Sequence, residues 1–212
     1  MKIPEGNFEA YIFDCDGTLA DTMPLHYRAW CAALAKYSCE FPEPLFYQLG
    51  GVPTVRIIEI LNERYGLSMP PEQAAREKEA LFMELLPEVQ PVEMVVEIVR
   101  QVHGKLPLAV ASGGHREVVQ STLRAIGILD RFETVVGVED YANGKPAPDP
   151  YLEAARRLKV APERCLVFED TETGIASATA AGMQSVLVPS RRVATPAPPP
   201  PQRGPGSILP AT

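Results

Sequence analysis

Histidine and tryptophan are scarce in this chain of 212 residues, with three His and one Trp. Four cysteines are present: Cys15, Cys31, Cys39 and Cys165. No two stand as C-x-x-C, and no histidine lies near them at zinc-finger spacing. A zinc finger or ribbon is therefore excluded, and reduced, mostly buried thiols in a cytosolic protein are expected. No apolar run reaches the roughly 18–20 residues of a membrane-spanning helix, so no membrane partner is expected. Met1–Ala10 has Lys2 but no apolar stretch behind it, which predicts no secretory leader and a cytoplasmic location. Basic residues are outnumbered, 20 Lys and Arg against 27 Asp and Glu, giving a formal charge of −7. That argues against nucleic acid as a partner. The rest is ordinary: 46% apolar and 22% charged, which excludes wholesale disorder. The length suits one core domain, or a core plus a small insert.

Short apolar runs recur along the chain: Ala10–Asp14, Leu106–Ser112, Thr134–Val138, Cys165–Phe168 and Gln184–Val188. They are rich in β-branched residues and hardly alternate, as strands covered on both faces do. Helical patterns lie between them. Glu93–His103 puts Val95, Ile98, Val99 and Val102 on one stripe, and His115–Ile126 does the same with Val118, Val119, Thr122, Leu123 and Ile126. Asp149–Pro150 reads as an N-cap and first-turn proline opening a helix to about Lys159, and Thr171–Ala181 is a fourth. Strand and helix alternate from Leu106 to Val188, which predicts βαβ units: an α/β, Rossmann-like, doubly wound parallel sheet.

The first strand stands apart. About 70 residues, roughly Thr22–Glu88, follow it without a convincing strand, and they carry three helical stripes at Pro24–Tyr37, Thr54–Tyr65 and Pro71–Leu86. The expected organisation is a core of residues 1–21 and 89–189, a helical insert of residues 22–88, and a hinge where the chain crosses twice. Eight of the 22 prolines fall within Pro189–Pro210, so residues 190–212 read as a proline-rich flexible tail. The alternative for that tail is a ligand for a proline-binding partner.

Chemistry concentrates at strand ends. Asp14-Cys15-Asp16-Gly17-Thr18 closes the first strand. A D-x-D-G-T string arises by chance in roughly one chain in a thousand of this length. A plain Asp–Gly turn accounts for Asp16–Gly17 but not for Asp14. Two carboxylates at this spacing allow one to attack a phosphoryl group and the other to move protons, with Gly17 permitting the sharp turn. Glu169–Asp170 is a second acid pair at a strand end, and in an open parallel sheet strand C-termini share one crevice. Four converging carboxylates call for a cation, and an all-oxygen set suits Mg²⁺. Ser112-Gly113-Gly114 stands between a strand and a helix, as an anion seat does. Lys145, in a G-K-P-A-P-D-P turn, offers a cation to phosphate. Taken singly, each of these is a cap, a solvated strand end or a surface charge. Their order, each at a strand end, is what such readings do not supply.

In that order the chain resembles the haloacid dehalogenase superfamily, subfamily I, with a helical cap inserted after the first strand. The resemblance runs from Ala10 to about Val188. It implies sheet order 5-4-1-2-3 over the five core strands. It implies Asp14 as nucleophile, Asp16 as general acid/base, and Ser112, Gly113 and Lys145 as phosphate ligands. It implies Mg²⁺ held by Asp14, the main-chain carbonyl of Asp16 and Asp170, with Glu169 direct or through water. Members that cleave carbon–halogen bonds lack the second acid, so the resemblance implies a phosphoryl enzyme, commonly a monomer.

Within the superfamily the chain is similar to the β-phosphoglucomutase-like and sugar-phosphatase branch. His26, in His26-Tyr27-Arg28-Ala29-Trp30, matches the histidine tied to the acid/base cycle and cap closure; its alternative is a surface hinge histidine. Lys78, in A-R-E-K, matches the cap lysine that touches substrate; its alternative is a plain charged helix face. The mutase carries a cap arginine for a distal phosphate, and here Thr54 stands in that place. Arg56, two residues later, is rotated about 200° away on a helix. The expected function is a Mg²⁺-dependent phosphatase of small phosphosugars, of the fructose 1-phosphate or 6-phosphogluconate type, through an aspartyl-phosphate. The alternatives are a phosphosugar mutase on the same site and a catalytically idle binding or regulatory protein.

Overall fold

The computed structural model describes residues 1–50 and 52–189; the tail expected at 190–212 lies outside them. In chain order the elements are β1 (Ala10–Phe13), β2 (Ala20–Asp21), α1 (Met23–Ala35), α2 (Glu43–Gln48), α3 (Thr54–Tyr65), α4 (Pro71–Leu85), β3 (Gln90–Pro91), α5 (Glu93–Val102), β4 (Leu108–Ala111), α6 (Arg116–Ala125), β5 (Thr134–Val136), α7 (Asp149–Leu158), β6 (Cys165–Glu169), α8 (Glu172–Ala180) and β7 (Gln184–Leu187). Four short 3₁₀ turns connect them.

Five strands form one parallel sheet in the order β5-β4-β1-β6-β7. With β2 and β3 set aside, this is the expected 5-4-1-2-3 read from the opposite edge. β1 lies in the middle and is buried throughout. Alternation along the strands sorts side chains onto two faces. Tyr11, Phe13, Leu108, Val110, Leu166 and Phe168 pack with Val95, Val99, Val119 and Leu123 from α5 and α6. Phe13 and Phe168 stack there, 4.7 Å between ring centroids. Ala10, Ile12, Ala109, Ala111 and Val167 cover the other face with Tyr151, Ala154, Ala155 and Ala178 from α7 and α8. The two faces divide by size, and the alanines let α7 approach the sheet closely. β4 and β6 leave β1 on opposite sides, so the crevice at their C-terminal ends is a topological switch point.

The helical segment has its own apolar cluster: Trp30, Leu34, Phe41, Phe46, Ile57, Ile58, Leu61 and Met69. A further cluster joins α1 and α4 to the chain crossing through Ala20, Leu25, Ala29, Phe82, Leu86 and Val89. Three details depart from expectation. α2 carries no legible periodicity because it is six residues long and contains Pro44. β2 and β3, two residues each, pair antiparallel at the crossing, Ala20 with Pro91 and Asp21 with Gln90. Asp149 is also the first residue of α7 rather than its cap, which is Pro148. Its carboxylate accepts instead from the Asn143 amide (3.1 Å) and Nδ2 (3.0 Å), closing the loop that carries Lys145. All four cysteines are free; three are buried and Cys31 is exposed.

Asp140 ties the end of β5 to α6 and α7. It accepts from the Gly137 amide (2.9 Å) and Arg116 Nε (3.1 Å), and pairs with Arg157 (2.7 Å). Burial pushes its carboxyl up, but the Gly137 amide and the two arginines outweigh it and bring the pKa from 3.8 to about 2. A depressed carboxylate stabilises the fold above its unfolded pKa, and the effect fades as pH falls through the folded value. Asp140→Asn is therefore expected to cost of order 1–2 kcal/mol at pH 7. Urea unfolding at several pH values checks this: the gap to wild type should close between about pH 4 and pH 2.

Candidate active site

Asp14 follows the last residue of β1, and its amide donates to the Phe168 carbonyl (3.0 Å) at the end of β6. This register brings Asp14 beside Glu169 and Asp170. Carboxylate oxygens of the three, one from each, lie within 4.8 Å of one another, and all three residues are buried. Lys145 reaches in from the loop before α7, with Nζ 2.7 Å from Asp14 Oδ1 and 3.0 Å from Glu169 Oε1. Its ammonium lies 4.9 Å from the ring centroid of Tyr151, which is fully buried under it on α7.

Two glycines make room for this cluster. Gly17 turns the chain at φ +88°, and a Cβ there would lie 2.5 Å from Asp170 Oδ2. A Cβ on Gly174 of α8 would fall inside the Glu169 carboxyl group. Hydroxyls hold the remaining oxygens: Thr18 donates to Asp170 (3.3 Å), and Thr171 donates to Glu169 through its amide (2.7 Å) and its hydroxyl (3.0 Å).

The charge balance of the cluster is three carboxylates to one ammonium. Burial pushes the Asp14 carboxyl well above the usual range; Lys145 pulls it down, while Glu169, Asp170 and Asp16 push it further up. Burial works against the Lys145 charge, but Asp14, Tyr151 and Glu169 overcome it and raise its pKa well above the ordinary value. A site that is all oxygen, short of positive charge and closely packed fits a hard divalent cation. Such an ion would favour the ionised form of Asp14 against its burial.

Asp16 is not part of this cluster, which corrects the expectation of four converging carboxylates. β1 ends at Phe13, so strand alternation no longer governs the second acid. Its side chain turns toward the helical segment, where it accepts from Thr22 Oγ1 (2.7 Å) and faces His26 Nε2 (3.5 Å). Ser112 Oγ lies at 3.4 Å from its other oxygen. Burial raises the Asp16 pKa, but the hydrogen bonds from His26 and Thr22 and the nearby charge of Lys78 outweigh it, leaving about 2.

Ser112 is buried at the end of β4 and held from three sides. Its amide donates to Val136, its oxygen Oγ accepts from the Gly114 amide (3.1 Å), and its carbonyl accepts from Tyr141 (3.0 Å). Gly113 is exposed, and its amide makes no hydrogen bond among the described residues. The anion seat is narrower than expected, because the first amide of α6, Arg116, already donates to the Glu139 carboxylate.

His26 on α1 stacks on Phe82 of α4, 3.8 Å between centroids. Its Nδ1 lies 2.9 Å from Lys78 Nζ. Lys78 is only 3% exposed, which rules out a plain charged helix face. Burial lowers the pKa of both groups, and Lys78 lowers that of His26 further. Lys78 also donates to Glu79 (3.1 Å), which accepts from Thr54 (3.2 Å). Arg56 is exposed and engaged by Glu59 (2.8 Å) and Glu63 (3.3 Å), away from the crevice as its helix rotation predicts. Tyr151, Tyr141, Thr22 and Glu79 were not singled out by the sequence. Only Phe82 had a readable signal, its place four residues after Lys78 on one helix face.

The family model of haloacid dehalogenase-like hydrolases matches residues 11–188. A fructose-1-phosphate phosphatase from Escherichia coli is 38% identical over 182 residues, 85% of this chain and 96% of that protein. A phosphorylated carbohydrates phosphatase from Thermotoga maritima is 35% identical, covering 84% of this chain and 83% of that one. Among solved structures, a β-phosphoglucomutase from Clostridium difficile superimposes with a TM-score of 0.75 at 26% identity, over 85% of this chain and 84% of that one. No helix among the described residues is long and apolar enough to cross a membrane. The chain belongs to the haloacid dehalogenase-like hydrolase family, in the β-phosphoglucomutase-like branch of its subfamily I, and is a phosphatase.

Proposed function

We propose that this phosphatase hydrolyses small phosphosugars, of the fructose 1-phosphate or 6-phosphogluconate type, through an aspartyl-phosphate on Asp14 with Mg²⁺ as cofactor. The observation that carries the reading is the division of labour between two acids two residues apart. Asp14 shares Lys145 with the buried carboxylates, whereas Asp16 faces the helical segment. Residues 22–88 act as a cap over the core of residues 1–21 and 89–189. The names of the relatives from Escherichia coli and Thermotoga maritima support the substrate class.

Asp14, Glu169, Asp170 and the Asp16 carbonyl would hold the metal ion. When bound, the ion supplies positive charge to the phosphoryl oxygens and keeps Asp14 ionised. Lys145, the Ser112 hydroxyl and the Gly113 amide seat the phosphoryl group and neutralise charge that develops on it. Asp14 attacks phosphorus in line, forming one P–O bond as the bond to the sugar oxygen breaks. Asp16, which must be protonated for this step, gives its proton to that oxygen. The substrate dianion beside Asp16 favours the protonated form, against the His26 and Thr22 contacts that hold it ionised in the free enzyme. In the second half, Asp16 takes a proton from water as the water oxygen attacks phosphorus. The P–O bond to Asp14 breaks, phosphate leaves, and both acids return to their starting states. His26 and Lys78 link Asp16 to the cap, so closure and acid/base work are coupled.

A phosphosugar mutase needs a grip on a second phosphate. Thr54 at the expected arginine position and Arg56 turned outward favour hydrolysis instead. Phosphate release from a panel of fructose 1-phosphate, 6-phosphogluconate and β-glucose 1-phosphate tests the reading. Release should be lost with a chelator and restored by Mg²⁺. Glucose 6-phosphate formed from β-glucose 1-phosphate without free phosphate would instead establish the mutase.

Asp14→Asn is expected to lower turnover by about three orders of magnitude or more with an unchanged circular dichroism spectrum. Retained activity would remove Asp14 as the nucleophile. Gly174→Ala forces Glu169 out of its place. The Mg²⁺ concentration for half-maximal rate should rise about 10- to 100-fold, with activity partly recovered at high Mg²⁺.

A further inference from the structure

Phe82 on α4 is fully buried, with 0% of its surface exposed. Its ring lies parallel to the His26 imidazole, at 3.8 Å between centroids and 11° between planes. Two polar contacts reach the same imidazole at its edge. Lys78 Nζ stands 2.9 Å from Nδ1, and Asp16 Oδ1 stands 3.5 Å from Nε2. An ammonium has hydrogens to give and no lone pair, so Nδ1 is the acceptor in the first contact. The hydrogen of the neutral ring then sits on Nε2 and points at Asp16. The edge contacts set where the imidazole points, and the parallel face sets its tilt. The same phenyl ring lies 5.4 Å from Lys78 Nζ, and an aromatic face favours a cation beside it. Phe82 therefore touches both members of the His26–Lys78 pair. Lys78 and Phe82 are four residues apart on α4, which puts them on one helix face, and that face meets His26 on α1.

We propose that Phe82 is a positioning residue for the acid/base step, acting through His26, whose ring it holds so that Nε2–H meets Asp16 Oδ1. The inference rests on the phosphatase reading above. A side chain with no exposed surface offers nothing for a substrate to touch, so its effect on turnover has to pass through a neighbour. With the phenyl ring gone, the imidazole is free to tilt and the contact at Asp16 weakens. The phosphate seat around Ser112 and Lys145 is left as it was. The loss then falls on kcat rather than on KM.

A double-mutant cycle tests this. Phosphate release with saturating Mg²⁺ is measured for wild type, Phe82→Leu, His26→Ala and the double variant, on the phosphosugar that wild type turns over fastest. Phe82→Leu should lower kcat about tenfold and leave KM within about twofold. In the His26→Ala background the same change should alter kcat by less than about twofold. Phe82→Tyr, which keeps the ring, should hold kcat within about threefold of wild type. Phe82 also packs with Leu25, Ala29 and Leu86, so thermal melting establishes that each variant is folded. Phe82→Met, also without a ring, replaces Phe82→Leu in the cycle where the latter does not fold. Proton NMR gives a readout apart from turnover. The His26 ring protons, assigned by their absence in His26→Ala, should be shifted upfield in wild type and lose that shift in the ringless variant. Unshifted protons in wild type, an unchanged kcat in the folded ringless variant, or an equal loss in both backgrounds overturns the role of Phe82 while leaving the phosphatase intact. Absence of phosphate release by wild type from every phosphosugar overturns the phosphatase reading and the inference with it.

Discussion

Asp14, Glu169 and Asp170 crowd together where β1 and β6 end, and Lys145 is the cation that lies among them. Like charges this close are tolerable inside a protein only when positive charge is close by. Much of the local structure follows from that requirement. The Lys145 loop is closed by Asn143 and Asp149, α7 brings Tyr151 beneath the ammonium, and two glycines leave space for carboxylates that any side chain would displace. The same deficit of positive charge makes the cluster a fitting place for a dication.

Asp16 answers to a different set of neighbours. Thr22, Ser112 and His26 hold its carboxylate on the cap side, and the Phe82 ring fixes the histidine plane. One acid is thereby bound to the core cluster, the other chiefly to the helical segment.

The core was legible residue by residue. The five strand segments are short, β1, β4 and β6 are buried throughout, and the helices between them carry clear stripes, because a sheet covered on both faces demands such patterns. The D-x-D-G-T string, the serine after β4 and the acid pair closing β6 were readable because each stands at a strand end; the lysine turn, expected at one too, lies instead in the loop before α7, beyond a 3₁₀ turn that follows β5. Less was legible where the element is short: α2 and the β2–β3 pair offer too few residues for any period to register. The Glu139 carboxylate on the first amide of α6 was also invisible, since those residues are 23 apart in sequence.

By itself the sequence determined the fold class, the sheet order implied by its family resemblance, and the identity of the strand-end residues. Those depend on local pattern and on motif order along the chain. Tertiary structure alone decided which carboxylates share a site and which one leaves it, since Asp16 moves away through contacts with Thr22 and His26 on a separate element. It also decided that Lys78 is buried rather than solvated, and that Glu79 meets Thr54 across the gap between α3 and α4. Hydrophobic period says which face of a helix is covered. It carries no information on which polar side chains meet once two covered faces have come together.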